Sequence, residues 1–289
     1  MKKDHLWLAI APGLFVLLWS SGFIGAKYGL PYAEPLTFLL IRFACVIVVL
    51  LAVALLLRRP WPHTPARWGH IAVAGSLLHA GYLSGVFIAI HSGMPAGIVA
   101  VIVGVQPLLT AVIGAPMLGE RVAARQWLGL VLGFAGVVLV VSNKIGIASA
   151  SGSGIAFSLM ALVSITVGTV YQKRHCAELD IWSGSVIQFA AASLVLAPFA
   201  LAFESMRVSW NPHFVFALGW LIFVLSVGAI SLLHLLIRHG AATRVSALFY
   251  LVPPSTALLA YAVFDERLGP VAIAGMVLAA IGVALAVRR

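Results

Sequence analysis

PLLTAVIGAPMLGERVAARQWLGLVLGFAGVVLVV (residues 107–141) and PPSTALLAYAVFDERLGPVAIAGMVLAAIGVALAV (residues 253–287) repeat one pattern 146 positions apart. Pro107 meets Pro253, Glu120-Arg121 meets Glu266-Arg267, and Gly129 and Gly136 meet Gly275 and Gly282. Upstream, Gly22/Gly168, Lys27/Lys173, Ile41/Ile187 and Phe43/Phe189 keep the same offset, so the chain is a duplicated unit. Two copies that each cross a membrane an odd number of times face opposite ways, the plan that lets a transporter open alternately to two sides.

Composition supplies the membrane. Of 289 residues 62% are hydrophobic and 9% charged, and the mean hydropathy is +1.10, more apolar surface than a soluble domain of this size can hide. Apolar runs of about 20 residues, enough to cross roughly 30 Å of hydrocarbon, recur near 6–26, 34–57, 68–90, 94–117, 126–142, 153–173, 181–203, 214–237, 243–264 and 270–287. The expectation is an all-α polytopic membrane protein of ten transmembrane helices in two inverted five-helix repeats: a first repeat at 6–142, a linker at 143–152 with a Gly/Ser stretch from Ser149 to Gly154, and a second repeat at 153–287. The alternating decapeptides of an outer-membrane barrel are missing.

Of the 18 Lys and Arg, all but Lys27, Lys144, Arg207, Arg267 and the intramembrane Arg42 fall in segments of one parity. That bias predicts a bacterial inner membrane protein with both termini cytoplasmic, and it explains the net charge of +10 without nucleic acid. Lys2 and Lys3 ahead of an apolar run resemble a signal peptide, but no convincing cleavage pattern follows, so the run reads as a retained helix. Cys45 and Cys176 imply no disulfide framework.

Enzymatic chemistry is not expected. The sequence holds no G-x-x-x-x-G-K-[ST] loop, no H-E-x-x-H pair and no G-x-S-x-G elbow, and no cofactor or metal is called for. All eight acidic residues fall at span ends or in loops, which disfavours an intramembrane aspartyl protease and a carboxylate proton relay.

Residues that suit transport are polar or helix-breaking at membrane depth. Pro107 and Pro253, the latter with Pro254, interrupt equivalent spans and expose carbonyls to a ligand or provide a gating bend; packing kinks are the alternative. Gln106 and Tyr250 flank them. Trp19, Phe23 and Lys27 share a face of span one, where they line a cavity or pack, and Thr166, Thr169 and Lys173 hold the equivalent face of span six. Ser76, His79 and Tyr82 follow at i, i+3 and i+6 in span three, with His79 at mid-span facing water or substrate, or bonded to a neighbouring helix. His234 is a weaker candidate nearer the inner end of span eight. Arg42, whose mate is Gln188, either snorkels to the outer mouth, pairs structurally, or binds an anionic group such as a carboxylate. Gly129, Gly133, Gly136, Gly275 and Gly282 permit close helix approach, scaffolding each half or forming a homodimer.

Leu18-Trp19-Ser20-Ser21 followed by Lys27, Pro35-Leu36-Thr37 leading into Arg42-Phe43, the two Glu-Arg corners, and Ala247-Leu248-Phe249-Tyr250-Leu251-Val252-Pro253-Pro254 together resemble the EamA family of the drug/metabolite transporter superfamily. The resemblance spans nearly the whole chain. It implies ten helices in two inverted repeats, a cavity bordered by helices other than five and ten, and export of amino acids, metabolites or drugs. Its motifs specify fold rather than cargo. The resulting expectation is a secondary transporter in lipid acting on a small-molecule substrate. Trp19, Tyr82 and Tyr250 would stack on the cargo's apolar part, and Arg42, His79 and Gln106 would bond its polar end. A passive pore or a scaffold without a transport cycle is the rival.

Overall fold

The computed structural model describes residues 2–94, 99, 102–119, 121–142, 152–239, 242–264 and 269–287. These residues form ten helical rods: α1 (Lys2–Gly29), α2 (Pro35–Leu56), α3 (Pro65–His91), α4 (102–117), α5 (Ala124–Ser142), α6 (Gly152–His175), α7 (Ile181–Phe203), α8 (Pro212–Arg238), α9 (242–264) and α10 (Pro270–Val287). Six of them, α2, α3, α6, α7, α8 and α10, are long and apolar enough to cross a membrane by themselves. Among the described residues there is no strand, only an isolated bridge between Ala33 and Val208. Glu120, Glu266 and Arg267 of the two corners and linker residues 143–151 lie outside the described residues. The helix α6 begins at Gly152, inside the Ser149–Gly154 stretch, a shift within the usual uncertainty of a helix start.

The inversion is written in the contacts of α2 with α7, which are repeat mates. Glu204, at the end of α7, accepts hydrogen bonds from the first-turn N–H groups of Leu36 and Thr37 (2.7 and 2.6 Å) and from the Thr37 hydroxyl (2.7 Å). At the other end Arg59, just past α2, pairs with Asp180, the N-cap of α7, at 2.6 Å. The start of each helix therefore meets the end of the other, so the mates run antiparallel. The Arg59–Asp180 contact also has its own mate. Glu34 accepts from the Ser205 N–H (2.7 Å) and hydroxyl (2.6 Å), and 34 and 205 are Asp180 and Arg59 displaced by the repeat. The Ser205 hydroxyl, followed by its N–H, holds the Glu34 carboxyl below its ordinary pKa. Phe43 and Phe189, mates of one another, touch with ring centroids 5.2 Å apart, which puts the pseudo-two-fold axis between them.

The rods α5 and α10 pair at the side of the bundle through the glycines. A Cβ on Gly136 would lie 2.4 Å from the Ala279 nitrogen, and one on Gly275 would lie 2.7 Å from the Gly136 oxygen. Gly129 and Gly282 meet in the same way, with a Gly129 Cβ 2.5 Å from the Gly282 oxygen. Backbone lies on backbone, so dispersion is gained along the whole seam without side-chain entropy loss. The glycine face is thus filled from within the chain. Gly136→Ala forces two helices apart and should destabilise the protein by about 1–3 kcal/mol, read as a lowered thermal midpoint in detergent. Gly13→Ala, which lies within α1 and meets nothing within 4 Å, should hold or raise that midpoint through better helix propensity; equal losses in the two would contradict the seam.

Candidate functional site

Regular α-helix is abandoned at two mated places. Ser76–Gly81 of α3 and Leu221–Ala229 of α8 are π-helical, and the first segment displaced by the repeat lies within the second. A π turn widens the helix and re-aims the side chains after it. Here it presents His79 and Tyr82 to a cavity of about 60 Å³ that Trp19, Arg42, Leu221 and Leu225 also line. Four candidates from three successive helices, Trp19 of α1, Arg42 of α2, and His79 and Tyr82 of α3, are brought together. Ser76 of the same stripe is not among the lining residues. The side chains of Phe23 and Lys27, which continue the Trp19 stripe, lie outside the described residues.

The cavity is aromatic on one wall and cationic on the other. Trp19 stacks on Tyr82 (centroids 6.3 Å, 18°) and takes Phe249 edge-on at 5.2 Å. Arg42 is 3% exposed; its Nε donates to the Ser226 hydroxyl at 3.0 Å, and that hydroxyl donates to the Leu221 carbonyl at 3.1 Å. No carboxylate pairs with Arg42 among the described residues. A guanidinium at membrane depth costs roughly 2.5–3.5 kcal/mol on insertion scales, and one neutral hydroxyl offsets only part of that. The arrangement accommodates an anion.

The mate of Arg42, Gln188, does the reciprocal work across the axis. Its carbonyl oxygen accepts from His79 Nε2 at 3.3 Å, and its amide donates to Gln172 at 3.1 Å. The His79 ring lies flat on Phe189 (4.3 Å, 8°). Thus α2 bonds α8 through Arg42–Ser226, and α7 bonds α3 through Gln188–His79. The two mated contacts differ in the residue they place between helices. Gly75 lets α3 settle on the Gln188 backbone, where a Cβ would come within 2.4 Å of Cα. The mate of Gly75 is Leu221, whose buried side chain lies against Gly25 of α1 and borders the cavity.

Gln106 and Tyr250 do not line this cavity. The Gln106 amide donates to the Ser246 hydroxyl at 3.0 Å, tying α4 to α9, while its carbonyl oxygen is buried without a partner. Tyr250 is fully buried, its ring filling the space that the missing side chain of Gly133 leaves, and its hydroxyl faces the Leu108 backbone without reaching hydrogen-bond geometry. Both prolines sit at helix breaks. Pro107 opens the short helix Gln106–Leu109 after a turn, and Pro253 with Pro254 opens the α-helix Val252–Phe264 after the 3₁₀ turn Leu248–Leu251. Thr166 and Thr169 donate back to the carbonyls of Leu162 and Ile165, both at 2.7 Å, and Lys173 caps the Ile237 carbonyl of α8 at 2.8 Å. His234 lies by Ser185 at 3.5 Å, beside a small gap that Gln172 also lines.

Phe249, Ser226 and Gln172 belong to the site or its core and were not singled out from sequence. Ser226 and Gln172 are lone polar residues in apolar runs, a signal that was available. Phe249 is one aromatic among many and carried none.

The comparisons agree with this architecture. The EamA-like transporter family matches residues 6–142 and again 152–288. The "Uncharacterized transporter YvbV" of Bacillus subtilis is 28% identical, covering 93% of this chain and 88% of its own length. The "Probable amino-acid metabolite efflux pump" of Escherichia coli is 27% identical over 92% and 89%, and the "Uncharacterized inner membrane transporter YedA" of the same species is 27% identical over 91% and 86%. A crystal structure of a protein only 20% identical shares the fold, with a TM-score of 0.78 over 96% of both chains. With two inverted helical repeats around a cavity, each repeat matching the family separately, this chain belongs to the EamA-like transporter family.

Proposed function

We propose that the chain is a secondary transporter of a bacterial inner membrane, with both termini cytoplasmic, that exports small amphipathic carboxylate-bearing metabolites, amino acids among them, by alternating access. The observation that supports this reading is a mated pair of positions in opposite condition: Gly75 lets α3 close on the α7 backbone, whereas Leu221 carries a side chain that packs on Gly25 of α1 and borders the cavity. Exchange of those two conditions, by rocking one repeat on the other about the Phe43/Phe189 contact, moves access from one side to the other. The name of the Escherichia coli efflux pump supports the export direction and the cargo class.

In the cycle Trp19 and Tyr82 pack on the apolar part of the cargo. Arg42 forms a charge-assisted pair with its carboxylate, and His79 bonds the remaining polar atoms. Ligand sites usually measure about 300–1,000 Å³, so the present cavity of about 60 Å³ must widen to take a cargo. Gln106, Tyr250 and the breaks at Pro107 and Pro253 act as hinge elements: α4 and α9 hold a buried acceptor and a buried hydroxyl that a small displacement brings into use. A homodimer would form on lipid-facing surface, since the glycine seam is already filled.

Proteoliposomes tested with an amino-acid and metabolite panel should show saturable uptake and counterflow; flux linear in concentration without counterflow contradicts the cycle. Arg42→Gln, which installs its mate's residue, should lower carboxylate transport by about tenfold or more at matched protein level, from the loss of a charged hydrogen bond. An amide analogue of the same cargo should be affected little. His79→Ala should reduce transport while leaving the fold intact, and wild-type turnover there removes His79 from the mechanism.

Gly75→Leu should wedge α3 from α7 and expose the inner gap. Cys176, buried beside that gap, has its thiol pushed up to about 11 by burial and reacts slowly with maleimide in the closed state. In a Cys45→Ala background the wedge should accelerate Cys176 labelling several-fold. An unchanged rate in a folded variant contradicts the closing role of Gly75.

A further inference from the structure

At the end of the bundle marked by Arg59 and Asp180, opposite the loop that Glu34 and Ser205 join, lies a second and larger concavity. The α2–α3 loop, the α6–α7 loop and the last turn of α8 enclose about 620 Å³, a volume typical of small-molecule sites, about 300–1,000 Å³. Arg59, Arg67, Arg174 and Arg238 line it, against two carboxylates, Glu178 and Asp180. Arg59 is taken by Asp180 at 2.6 Å, and Arg67 comes to 3.7 Å from Glu178. Arg174 and Arg238 have no carboxylate partner among the described residues. Cys176 on the same wall keeps its proton, its thiol pushed up to about 11 by burial, so it adds no negative charge.

The repeat shows that the fold does not require these arginines. Displaced by 146, Arg59, Arg67, Arg174 and Arg238 fall on Ser205, His213, Tyr28 and Ser92, so none of the four guanidiniums recurs at its mated position, and the mated loop carries one arginine, Arg207, at the position of Trp61. Orientation in the membrane asks only that basic residues lie in the loops of one side; it does not ask four to converge on one hollow, and Arg58 meets the same requirement outside it. The depth also matters. Leu55, Leu56 and Leu57 are exposed just before this loop, and Trp68 stacks on Trp61 of the wall at 6.0 Å, a pair suited to the headgroup level.

We propose that this vestibule is a binding site for a phosphate group, held between Arg174 and Arg238 and carried by an anionic lipid headgroup or a soluble phosphate from the same side. Basic pockets between membrane helices take such groups through charge-assisted bonds. The bound group sits at the mouth of the small gap that Gln172 and His234 line, because Cys176, Leu179 and Arg238 border both hollows. The site stands on its own geometry and is independent of the cargo reading.

The test uses the full chain, with wild type compared to Arg174→Gln, Arg238→Gln and Arg58→Gln, each of which removes one positive charge. In one arm native mass spectrometry follows retention of phosphatidylglycerol against phosphatidylcholine. In the other, thermal stability in phosphatidylcholine nanodiscs is titrated with inorganic phosphate against chloride at equal ionic strength. Apparent affinity should fall at least about tenfold in Arg174→Gln and Arg238→Gln and stay at the wild-type level in Arg58→Gln, as expected for loss of a charged hydrogen bond. Loss confined to the lipid arm assigns a headgroup, and loss in the phosphate arm assigns a solute. No preference for phosphate in either arm, or equal weakening by Arg58→Gln, overturns the site, since the arginines then act only as diffuse surface charge. Arg174→Lys, which keeps the charge, controls for misfolding and should recover part of the affinity.

Discussion

In hydrocarbon a polar group has no water to fall back on, so each helix end and each buried side chain must find its partner inside the protein. This chain meets that constraint by exchange between its two halves. Glu204 of the second repeat satisfies the first-turn donors of α2, and at the exposed rim beyond them Glu34 of the first repeat holds the Ser205 backbone and hydroxyl. Arg42 reaches across to Ser226, and Gln188 reaches back to His79. Neither half can close its own polar accounts alone, and inversion of the halves is what makes the exchange geometrically possible.

A symmetric frame then carries asymmetric chemistry. Gly75 lets α3 close on α7 where its mate Leu221 carries a side chain that borders the cavity; Arg42 against Gln188 gives charge to one side only. Arg174 and Arg238 against Tyr28 and Ser92 give one end of the bundle a cationic vestibule and leave the other without one. Because the frame is shared, such single-residue differences select between two arrangements of similar packing. That is the condition under which a modest cargo interaction shifts a population, since a ligand moves an equilibrium only by its differential affinity for the two states.

The frame was legible because lipid imposes long apolar runs and because a duplication leaves a constant offset that any pair of identical residues reveals. The glycine faces of α5 and α10 were legible for the same reason. The site was legible in part. Trp19, Arg42, His79 and Tyr82 are polar or amphipathic residues at membrane depth, and they do converge. What periodicity cannot report is a change of helix register. The π segment at Ser76–Gly81 turns His79 and Tyr82 into the cavity without Ser76, and the 3₁₀ turn before Val252 sends Tyr250 toward Gly133 while its neighbour Phe249 meets Trp19. Cross-repeat partners such as Glu204 for Thr37 are equally silent in sequence, because capping is normally read from residues adjacent to the helix.

Alternating exchange of the two mated gaps is the central claim. Its most direct test is a pair of electron-spin distance measurements in liposomes, one between labels on the Arg42-side ends of α2 and α8, the other between labels on the Gly75-side ends of α7 and α3. Addition of a transported cargo should shift the two distances in opposite senses, one shortening as the other lengthens. Two distances that move together, or that stay fixed while cargo is transported, would contradict the account.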